Sequence, residues 1–476
     1  MAKNSLAMGM VQFVSQVSTL ILAMVLNIKL GKAYADYTAA FSLVTVLFLI
    51  ADLGLGTKMV IDVARNREIA SKKLTSILFI RGTLGFTAVV MTLAFVVFSK
   101  PPSEAAFAYI IVALSTALGW MAQTFTSMFT AFEKMYYVFM TYLVERMFTV
   151  PVSIALVYLG YGLETVVLVL LIGNILYVAL SYVVCTRLIV QPSRELNLKD
   201  VKNDLKGCAP FAINVALVST LYSINAFLLL SIVWGMADYD AGAAASNTYT
   251  IAFGLVAALI AVPTVFRTAL LPVITRLFGS SKEMTKLAQQ KIMKYMYSLG
   301  LPMTLGGMVL ADEIINLLFP GHPESAVVLQ ILLPVLAISY FGTGQGSLLA
   351  AADLMHLSTI SSVAGAVTNL AICFLAIPIW GPSGAALAFT AATLVTNVIS
   401  HYYMSRRVVH LRVTDIILKP TMAGAGMTLV LLIIPGNNLF LSIVVGMVAY
   451  FGLLYLLKAI DQDDIDIFRK ALKKGA

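Results

Sequence analysis

Charged residues are scarce in this sequence. Asp, Glu, Lys and Arg together make up 12% of its 476 residues, whereas 60% are hydrophobic. A soluble domain normally carries about 25% charged residues, so this chain has too little polar surface to coat a globule in water. Inside lipid every backbone group must be paired internally, which leaves helices or a closed barrel. The apolar stretches run for about 20 residues without the alternation of barrel strands, which predicts an all-α polytopic membrane protein.

The residue types that carry catalysis and metal binding are equally scarce. Cys185, Cys208 and Cys373 are odd in number and scattered, without disulfide or metal-ligand spacing. The four histidines lack such spacing too, and the G-x-x-x-x-G-K-[ST] phosphate loop is absent. No segment between apolar stretches reaches the size of a separate catalytic domain, about 50 residues. We therefore predict a protein that is not an enzyme and uses no cofactor or metal.

The apolar stretches divide the chain into about fourteen transmembrane helices. They are predicted at residues 5–30, 37–57, 76–98, 104–131, 138–159, 163–186, 207–233, 241–272, 290–310, 326–350, 357–379, 383–404, 416–435 and 438–458.

The basic residues support this count. With both termini in the cytoplasm, all but four of the 32 Lys and Arg residues fall on the cytoplasmic side. The exceptions are Lys29, Lys32 and Lys100 on the outer side and Arg146 inside a span. This asymmetry is the positive-inside pattern of a multi-pass protein of the cytoplasmic membrane. It also accounts for the net charge of +9 without nucleic acid as a partner.

A weak internal repeat predicts the domain organisation. An offset of 204 residues aligns Gly31 with Gly235 and Asp36 with Asp240, each in an outer turn between two spans. Two halves of six helices in the same orientation would be related by an axis along the membrane normal, with the substrate site between them. We predict two pseudo-symmetric six-helix bundles at 1–206 and 207–412, followed by two additional transmembrane helices and a basic tail at 413–476.

Arg146 is the strongest candidate for a functional residue. It lies about 12 Å along the predicted fifth span, where a cation should face protein or a water-filled cavity. The alternatives are a structural ion pair with Glu133 or Glu145, although Glu145 points about 100° away from it on a helix, and snorkelling of Arg146 to the inner surface. Arg81 and Arg267 are secondary candidates near the cytoplasmic ends of spans three and eight, where snorkelling to the headgroups is the alternative.

Two polar helix faces are candidates for lining a substrate cavity. Gln12 and Gln16 share one face of the first span, and Asn214, Tyr222 and Asn225 share a narrow arc of the seventh. The alternative is interhelical hydrogen bonding.

Two carboxylates are candidates for proton coupling. Glu145 and Asp52 lie within a span or at its inner end, where desolvation favours the neutral acid.

Several short strings resemble one transporter family. They lie at matching spacing through nearly the whole chain: 52–56 (DLGLG), 132–134 (FEK), 271–276 (LPVITR), 315–321 (INLLFPG) with 325–326 (SA) and 329–332 (LQIL), and 381–386 (GPSGAA). Together they resemble the O-antigen, or Wzx-type, polysaccharide flippases of the multidrug/oligosaccharidyl-lipid/polysaccharide (MOP) exporter superfamily.

The resemblance implies two six-helix bundles around a central cavity and alternating access for a polyprenyl-diphosphate-linked oligosaccharide. It implies as partners this lipid-linked glycan, membrane lipids, and the glycosyltransferases or glycan polymerase that act on the same glycan. A diphosphate suits the guanidinium candidates, because arginine donates charge-assisted, often bidentate, hydrogen bonds to phosphate.

Two other functions remain open at this stage. A cation-coupled multidrug exporter of the same superfamily typically has an acid in its cavity, often in span one, and residues 5–30 contain no Asp or Glu. A membrane-embedded glycan polymerase or ligase usually has a large outer loop with basic residues. The longest outer loop here, at about 311–325, contains no Lys or Arg.

The predicted topology can be tested by cysteine labelling. Cysteines introduced at Ser193 and Ser281 should react with a membrane-impermeant maleimide only from the cytoplasmic side, and one at Asn437 only from outside. Labelling of the Ser281 position from outside would overturn the orientation.

Overall fold

The computed structural model describes residues 2–52, 54–193, 195–280, 282–352, 354–433 and 438–459. Within these helices, the side chains of 2–8, 13, 49–52, 207, 209–223, 264–265 and 267–280 lie outside the description.

The described residues form helices and no strand. Their bounds are α1 Ala2–Leu30, α2 Lys32–Asp52, α3 Leu55–Arg65, α4 Ala70–Ser99, α5 Ser103–Ala131, α6 Met135–Tyr158, α7 Leu163–Leu188, α8 Leu198–Met236, α9 Tyr239–Ser280, α10 Lys282–Val309, α11 Ala311–Leu318, α12 Glu324–Leu332, α13 Pro334–Phe341, α14 Gln345–Ala351, α15 Met355–Trp380, α16 Pro382–Arg407, α17 Val413–Ile433 and α18 Leu439–Leu456, with a single 3-10 turn at Arg67–Ile69.

Each of the fourteen predicted spans falls on a helix or, at 326–350, on a run of three short helices. Among the described residues, 11 stretches are long and apolar enough to cross a membrane, or up to 12 if the bent pair α10–α11 is one span. The predicted spans 37–57 and 207–233 correspond to α2 and α8, in which some side chains lie outside the description. The prediction of an all-helical, multi-pass membrane protein is confirmed.

The second span ends earlier than predicted. It stops at Asp52 rather than at 57, and Gly54 adopts a left-handed conformation with φ 67°. Glycine adopts this conformation without the steric penalty of a Cβ, so the chain turns there and begins α3. This short helix buries Leu55, Met59 and Val63 on one face, a spacing of four residues that places them in one stripe.

Half-buried ion pairs hold α3 in place. Asp62 of α3 accepts hydrogen bonds from Lys58, at 2.6 Å, and from Lys73 of α4. Lys73 also donates to Asp204 of α8, which in turn accepts from Ser76 at 2.6 Å. Burial favours the neutral form of Asp62, but the two lysines outweigh it and hold the pKa of Asp62 below its usual value. The predicted basic loop after span two is therefore a packed segment.

The tenth span is interrupted twice. Pro334 lacks an N–H group and begins α13, while Gly344, at φ 85°, precedes α14. Thr304 of α10 compensates the first interruption, because its hydroxyl accepts from the N–H of Ala337 at 3.1 Å. Its one proton is within hydrogen-bond distance of the carbonyls of Gly300, at 3.0 Å, and Leu333, at 3.2 Å. Interrupted helices persist at membrane depth when neighbouring side chains satisfy the freed backbone groups in this way.

The chain forms two compact units. Unit 1 comprises Met1–Ala261 with Ser362–Ala392, and unit 2 comprises Val262–Ser361 with Thr393–Ala476. The larger core of unit 1 includes fully buried residues of α2 and α5, among them Ala39, Phe48 and Tyr109. In unit 2 one core joins Met293 of α10 to Met404 of α16. These units reflect packing rather than the sequence repeat, and the division at 206 and 412 stays a prediction.

The two turns aligned by the repeat meet within unit 1. Lys32, at the start of α2, forms an ion pair with Asp240, at the start of α9, with 2.7 Å between Nζ and Oδ2. The hydrogen bond and the charge of Asp240 raise the pKa of Lys32 above its usual value. Both turns therefore lie at the same end of unit 1, as an even number of spans between them requires.

Candidate functional site

Arg146 lies at the centre of a membrane-spanning helix. The helix α6 begins at Met135 and ends at Tyr158, so Arg146 is about 16 Å from one end and 18 Å from the other. This is deeper than the 12 Å expected from the sequence, because the helix begins three residues earlier than predicted. A cation at this depth is out of easy reach of the headgroups on either side.

A tyrosine and a serine fix the inner part of the Arg146 side chain. Its Nε donates to the hydroxyl of Tyr142, one turn earlier on α6, at 2.8 Å. That hydroxyl donates in turn to Ser15 of α1 at 2.7 Å. The guanidinium carbon also lies 5.1 Å from the centroid of the Tyr142 ring, within the range of a cation–π interaction. The contact between α1 and α6 is thus built around this arginine.

Glu145 supplies a counter-charge. Its Oε2 lies 3.3 Å from Nε of Arg146, although the two residues leave an ideal helix about 100° apart. The structural pairing considered from the sequence is therefore present. It engages only Nε: among the described residues no hydrogen bond reaches either terminal nitrogen of Arg146, whose side chain is 23% exposed. The two terminal nitrogens, at the planar end of the guanidinium, form no hydrogen bond with Tyr142 or Glu145.

The second carboxylate oxygen of Glu145 is hydrogen-bonded within α6. Its side chain is 5% exposed, and its Oε1 accepts a hydrogen bond from Thr149, one turn later on α6, at 2.9 Å. Gly173 of α7 faces this pair, because a Cβ at Gly173 would overlap the Thr149 hydroxyl and lie 3.6 Å from the Glu145 carboxylate. The missing side chain lets α7 approach α6 closely at the level of the acid.

Tyrosines surround the charged pair. The Tyr177 ring of α7 lies edge-on to Tyr142, with 6.2 Å between centroids. Tyr37 of α2 is half-buried, is close enough to Arg146 to interact with it electrostatically, and packs on Phe41 at 4.8 Å. Four helices of unit 1, namely α1, α2, α6 and α7, therefore contribute polar or aromatic groups around Arg146.

Gln12 precedes Ser15 on α1 by three residues, and Gln16 follows it directly. Both side chains are half-buried. Around the helix axis they are displaced from Ser15 in the same direction, Gln12 by about 60° and Gln16 by about 100°. Their position beside the Arg146 contact is compatible with the predicted lining role, which stays a prediction.

Arg81 does not snorkel to the headgroups, so that alternative reading of it is wrong. Arg81 is 3% exposed, and its Nη1 donates to the carbonyl of Trp120 at 3.0 Å and to the hydroxyl of Thr124 at 3.2 Å. Its guanidinium lies 5.9 Å from the Trp120 ring. These contacts with α5 hold Nη1 of Arg81 inside unit 1. A substrate contact would require it to exchange them.

Asn225 is the centre of a packed polar node. It is fully buried, and its Nδ2 donates to the carbonyl of Ala385 at 3.1 Å and to the hydroxyl of Tyr249 at 3.3 Å. Its Oδ1 accepts from Nδ2 of Asn369 at 2.6 Å and from the Cys373 thiol at 3.6 Å. This is the interhelical hydrogen bonding weighed as the alternative to cavity lining, and it occupies the amide in this conformation.

Four other candidates fall outside the described side chains. They are Arg267, Asn214, Tyr222 and Asp52. Their proposed roles stay predictions.

The residues that position Arg146 are not among the candidates predicted from the sequence. Tyr142 precedes Arg146 by four residues and Thr149 follows Glu145 by four, a spacing that places each pair on one helix face. This spacing can be read from the sequence. The contributions of Ser15, Tyr37 and Gly173 depend on tertiary contacts between helices and have no local signature. Within the described part of the chain, no group of three or more His, Cys, Asp or Glu is arranged to hold a metal ion.

The sequence matches a protein family over more than half of its length. Residues 1–278 match the family described as "Polysaccharide biosynthesis protein". The chain belongs to this family. No curated protein matches the sequence.

Solved transporter structures share the fold of this polysaccharide biosynthesis family member. The lipid II flippase MurJ in an inward closed conformation superposes with a TM-score of 0.76 at 14% identity, over 96% of this chain and 98% of MurJ. An inward-facing MATE multidrug resistance transporter of the MOP superfamily superposes with a TM-score of 0.61 at 15% identity, over 83% and 94% of the two chains. A MOP transporter from Pyrococcus furiosus gives 0.61 at 16% identity, over 85% and 94%. The polytopic MOP fold predicted from the sequence is confirmed.

The close α6–α7 contact gives a stability test. Gly173→Ala should destabilise the protein by about 1–3 kcal/mol, because the added methyl group overlaps the Thr149 hydroxyl. Added to a Thr149→Ala variant, Gly173→Ala should cost much less, since the hydroxyl is gone and the residue-149 Cβ would lie at an ordinary contact distance of 3.5 Å. The reference for this comparison is Thr149→Ala alone, because that change also removes the hydrogen bond to Glu145. The measurement is thermal unfolding of purified protein in detergent.

Gly82→Ala is the matched control. No heavy atom lies within 4 Å of a Cβ at Gly82 of α4, so alanine should be neutral or stabilise the helix by up to about 1 kcal/mol. A Gly173→Ala variant as stable as the wild type would contradict the contact, and so would an undiminished loss of stability when Gly173→Ala is added to Thr149→Ala.

Proposed function

We propose that this protein flips a polyprenyl-diphosphate-linked oligosaccharide across the cytoplasmic membrane by alternating access, and that Arg146 holds the diphosphate. Membership in a polysaccharide biosynthesis family supports a glycan substrate. A fold shared with a lipid II flippase supports a lipid-linked one. Glycosyltransferases and a glycan polymerase that handle the same glycan are the partners this function requires.

One observation carries the assignment of Arg146. Its Nε is fixed by Tyr142 and Glu145, while its two terminal nitrogens engage no described residue. Those nitrogens form the planar fork that binds phosphate bidentately. The substrate's anion must cross a region of low dielectric, where an unpaired charge is prohibitive. A guanidinium at the midpoint of α6, already oriented and only partly compensated, meets that requirement.

The surrounding groups suit the rest of the substrate. Tyr37 offers an aromatic face and a hydroxyl to sugar rings, and the half-buried Gln12 and Gln16 of α1 offer amides. The polyprenyl tail needs no polar partner and can stay in lipid during transport. A cation-coupled multidrug exporter has the same fold, but nothing in drug transport requires an arginine fork at this depth. Family membership favours the glycan.

The first functional test replaces Arg146 in cells that lack their own flippase. Arg146→Ala should lower flipping about 30-fold or more, since truncating one partner of a buried charged contact costs about 2 kcal/mol or more. Arg146→Lys should restore only part of it, because an ammonium keeps the charge and lacks the planar fork. The measurement is surface glycan formed per cell at matched abundance of the transporter in the membrane.

A structural role predicts a different result. If Arg146 only neutralises Glu145, Arg146→Ala should reduce folding and membrane abundance, and adding Glu145→Gln should restore both abundance and flipping. Lys29→Ala, in an exposed outer position, is the control for removal of a basic side chain. Full flipping by Arg146→Ala at matched abundance eliminates the substrate role.

Glu145 is the residue proposed to couple proton movement to transport, since it forms an ion pair with the same arginine that is proposed to bind the diphosphate. Protonation of Glu145 would remove the competitor for the guanidinium, so proton movement and diphosphate binding would be linked at one site. In proteoliposomes with an imposed pH gradient, Glu145→Gln should still flip a polyprenyl diphosphate carrying one sugar, but should no longer respond to the gradient. A gradient response equal to the wild type would exclude Glu145, and Asp52→Asn would then be tested in the same assay.

A further inference from the structure

The second interruption of the tenth span lies beside two fully buried glutamines of unit 2. Gln289 belongs to α10 and is 1% exposed; Gln345 is the first residue of α14 and is also 1% exposed. Buried side-chain amides are nearly always hydrogen-bonded, so the contacts of these two residues indicate what the site is built for.

The amide of Gln289 is half satisfied. Its Nε2 donates to the carbonyl of Thr343 at 3.2 Å, while its Oε1 is buried and has no partner among the described residues. This oxygen lies against the backbone of Gly344, where an added Cβ would be 2.8 Å from it. Gly344, at φ 85°, therefore keeps the oxygen uncovered as well as permitting the turn.

The amide of Gln345 is not satisfied at all by the described residues. Neither its Oε1 nor its Nε2 has a hydrogen-bond partner, and both atoms are buried. Gln345 follows Gly344 directly, so it flanks the turn that Gln289 also contacts. Two buried amide oxygens therefore lie at the same interruption of a membrane span.

The turn contains three carbonyl groups and two helix ends. The helix α13 ends at Phe341 and α14 begins at Gln345, so a partial negative and a partial positive helix end both lie at the turn. The carbonyls of Gly342, Thr343 and Gly344 each accept one hydrogen bond, from the N–H of Gln345, Nε2 of Gln289 and the N–H of Leu348, and each keeps a second lone pair for a cation. In interrupted transporter helices, such carbonyls and helix ends coordinate Na⁺. Asn397 of α16 packs on the opposite side of the turn, against Gly342, and contributes a further neutral polar group.

The ligand chemistry favours a monovalent ion. Amide and carbonyl oxygens are neutral and hard, whereas divalent cations in proteins draw on carboxylates for much of their binding energy. No metal-holding group of acids, histidines or cysteines occurs among the described residues. A single positive charge on neutral oxygens, with a water accepting from Nε2 of Gln345, satisfies the amide atoms of Gln289 and Gln345 that the described residues leave without a partner.

We propose that a monovalent alkali cation of the Na⁺ type binds at the Gly342–Gly344 turn, coordinated by Oε1 of Gln289, Oε1 of Gln345 and backbone carbonyls of the turn. The bound ion joins α10 to the interrupted span and stabilises unit 2. This site goes beyond the proposed flippase function and is independent of Arg146, which belongs to unit 1.

The test uses the purified full-length protein in detergent without any lipid-linked glycan, with ²²Na⁺ as the probe. Wild type should bind ²²Na⁺ saturably, and NaCl should raise its unfolding temperature above that in choline chloride at equal ionic strength. Gln289→Leu and Gln345→Leu should each weaken binding by about tenfold or more. Gln345→Glu, which adds a charged oxygen ligand, should tighten it.

Gln330→Leu is the matched control. Gln330 lies in α12 of the same span, and its Nε2 donates to the carbonyl of Met308 at 3.2 Å, so this variant should bind ²²Na⁺ like the wild type. Absence of saturable binding by the wild type overturns the proposal, as does undiminished binding by both leucine variants; water then satisfies the amides. If the leucine variants fail to fold, wild-type binding and the response of Gln345→Glu decide the question. Glycan flipping is not measured, so a negative result here leaves the Arg146 proposal untouched.

Discussion

The guanidinium of Arg146 is the group around which the helices of unit 1 are arranged. A lone cation at the midpoint of a membrane span is unfavourable by several kcal/mol or more, so the surrounding helices must compensate it. Among the described residues they do so on one side only. Tyr142 and Glu145 engage Nε, Ser15 orders the tyrosine, and no described residue forms a hydrogen bond to the terminal nitrogens. Arg81 differs in this respect, because its terminal nitrogen Nη1 is bound to the backbone and a hydroxyl of α5.

Two buried amide clusters differ in how completely they are hydrogen-bonded. In unit 1 both atoms of the Asn225 amide have partners, on three neighbouring helices. In unit 2, among the described residues, Oε1 of Gln289 and both atoms of the Gln345 amide have none. Because an unmet polar group in a low-dielectric interior is costly, packing explains the first cluster, and the second is where we propose a ligand.

The sequence predicts the membrane fold well because its signals are local. A run of about 20 apolar residues forms a helix in lipid whatever surrounds it, so each predicted span falls on helical structure. Gly54 and Pro334 show where this reasoning stops: each breaks or ends a helix inside an apolar stretch that hydropathy alone reads as continuous. Arg146 could be identified from sequence because a charge inside a span is conspicuous. Ser15, Tyr37 and Gly173 are ordinary residues of apolar helices, and only the tertiary contacts reveal their part in the site.

The hydroxyl of Tyr142 has a single proton, and it is committed to Ser15. Its lone pair is therefore what receives Arg146, and the two hydrogen bonds run in one direction from α6 to α1. Each bond in such a chain polarises and strengthens the next. An anion that draws the guanidinium away from Tyr142 also weakens the hydrogen bond from Tyr142 to Ser15 of the first helix. The first helix, which has no charged residue between Lys3 and Lys29, would in this way respond to an event at a charge with which its described side chains form no hydrogen bond or ion pair.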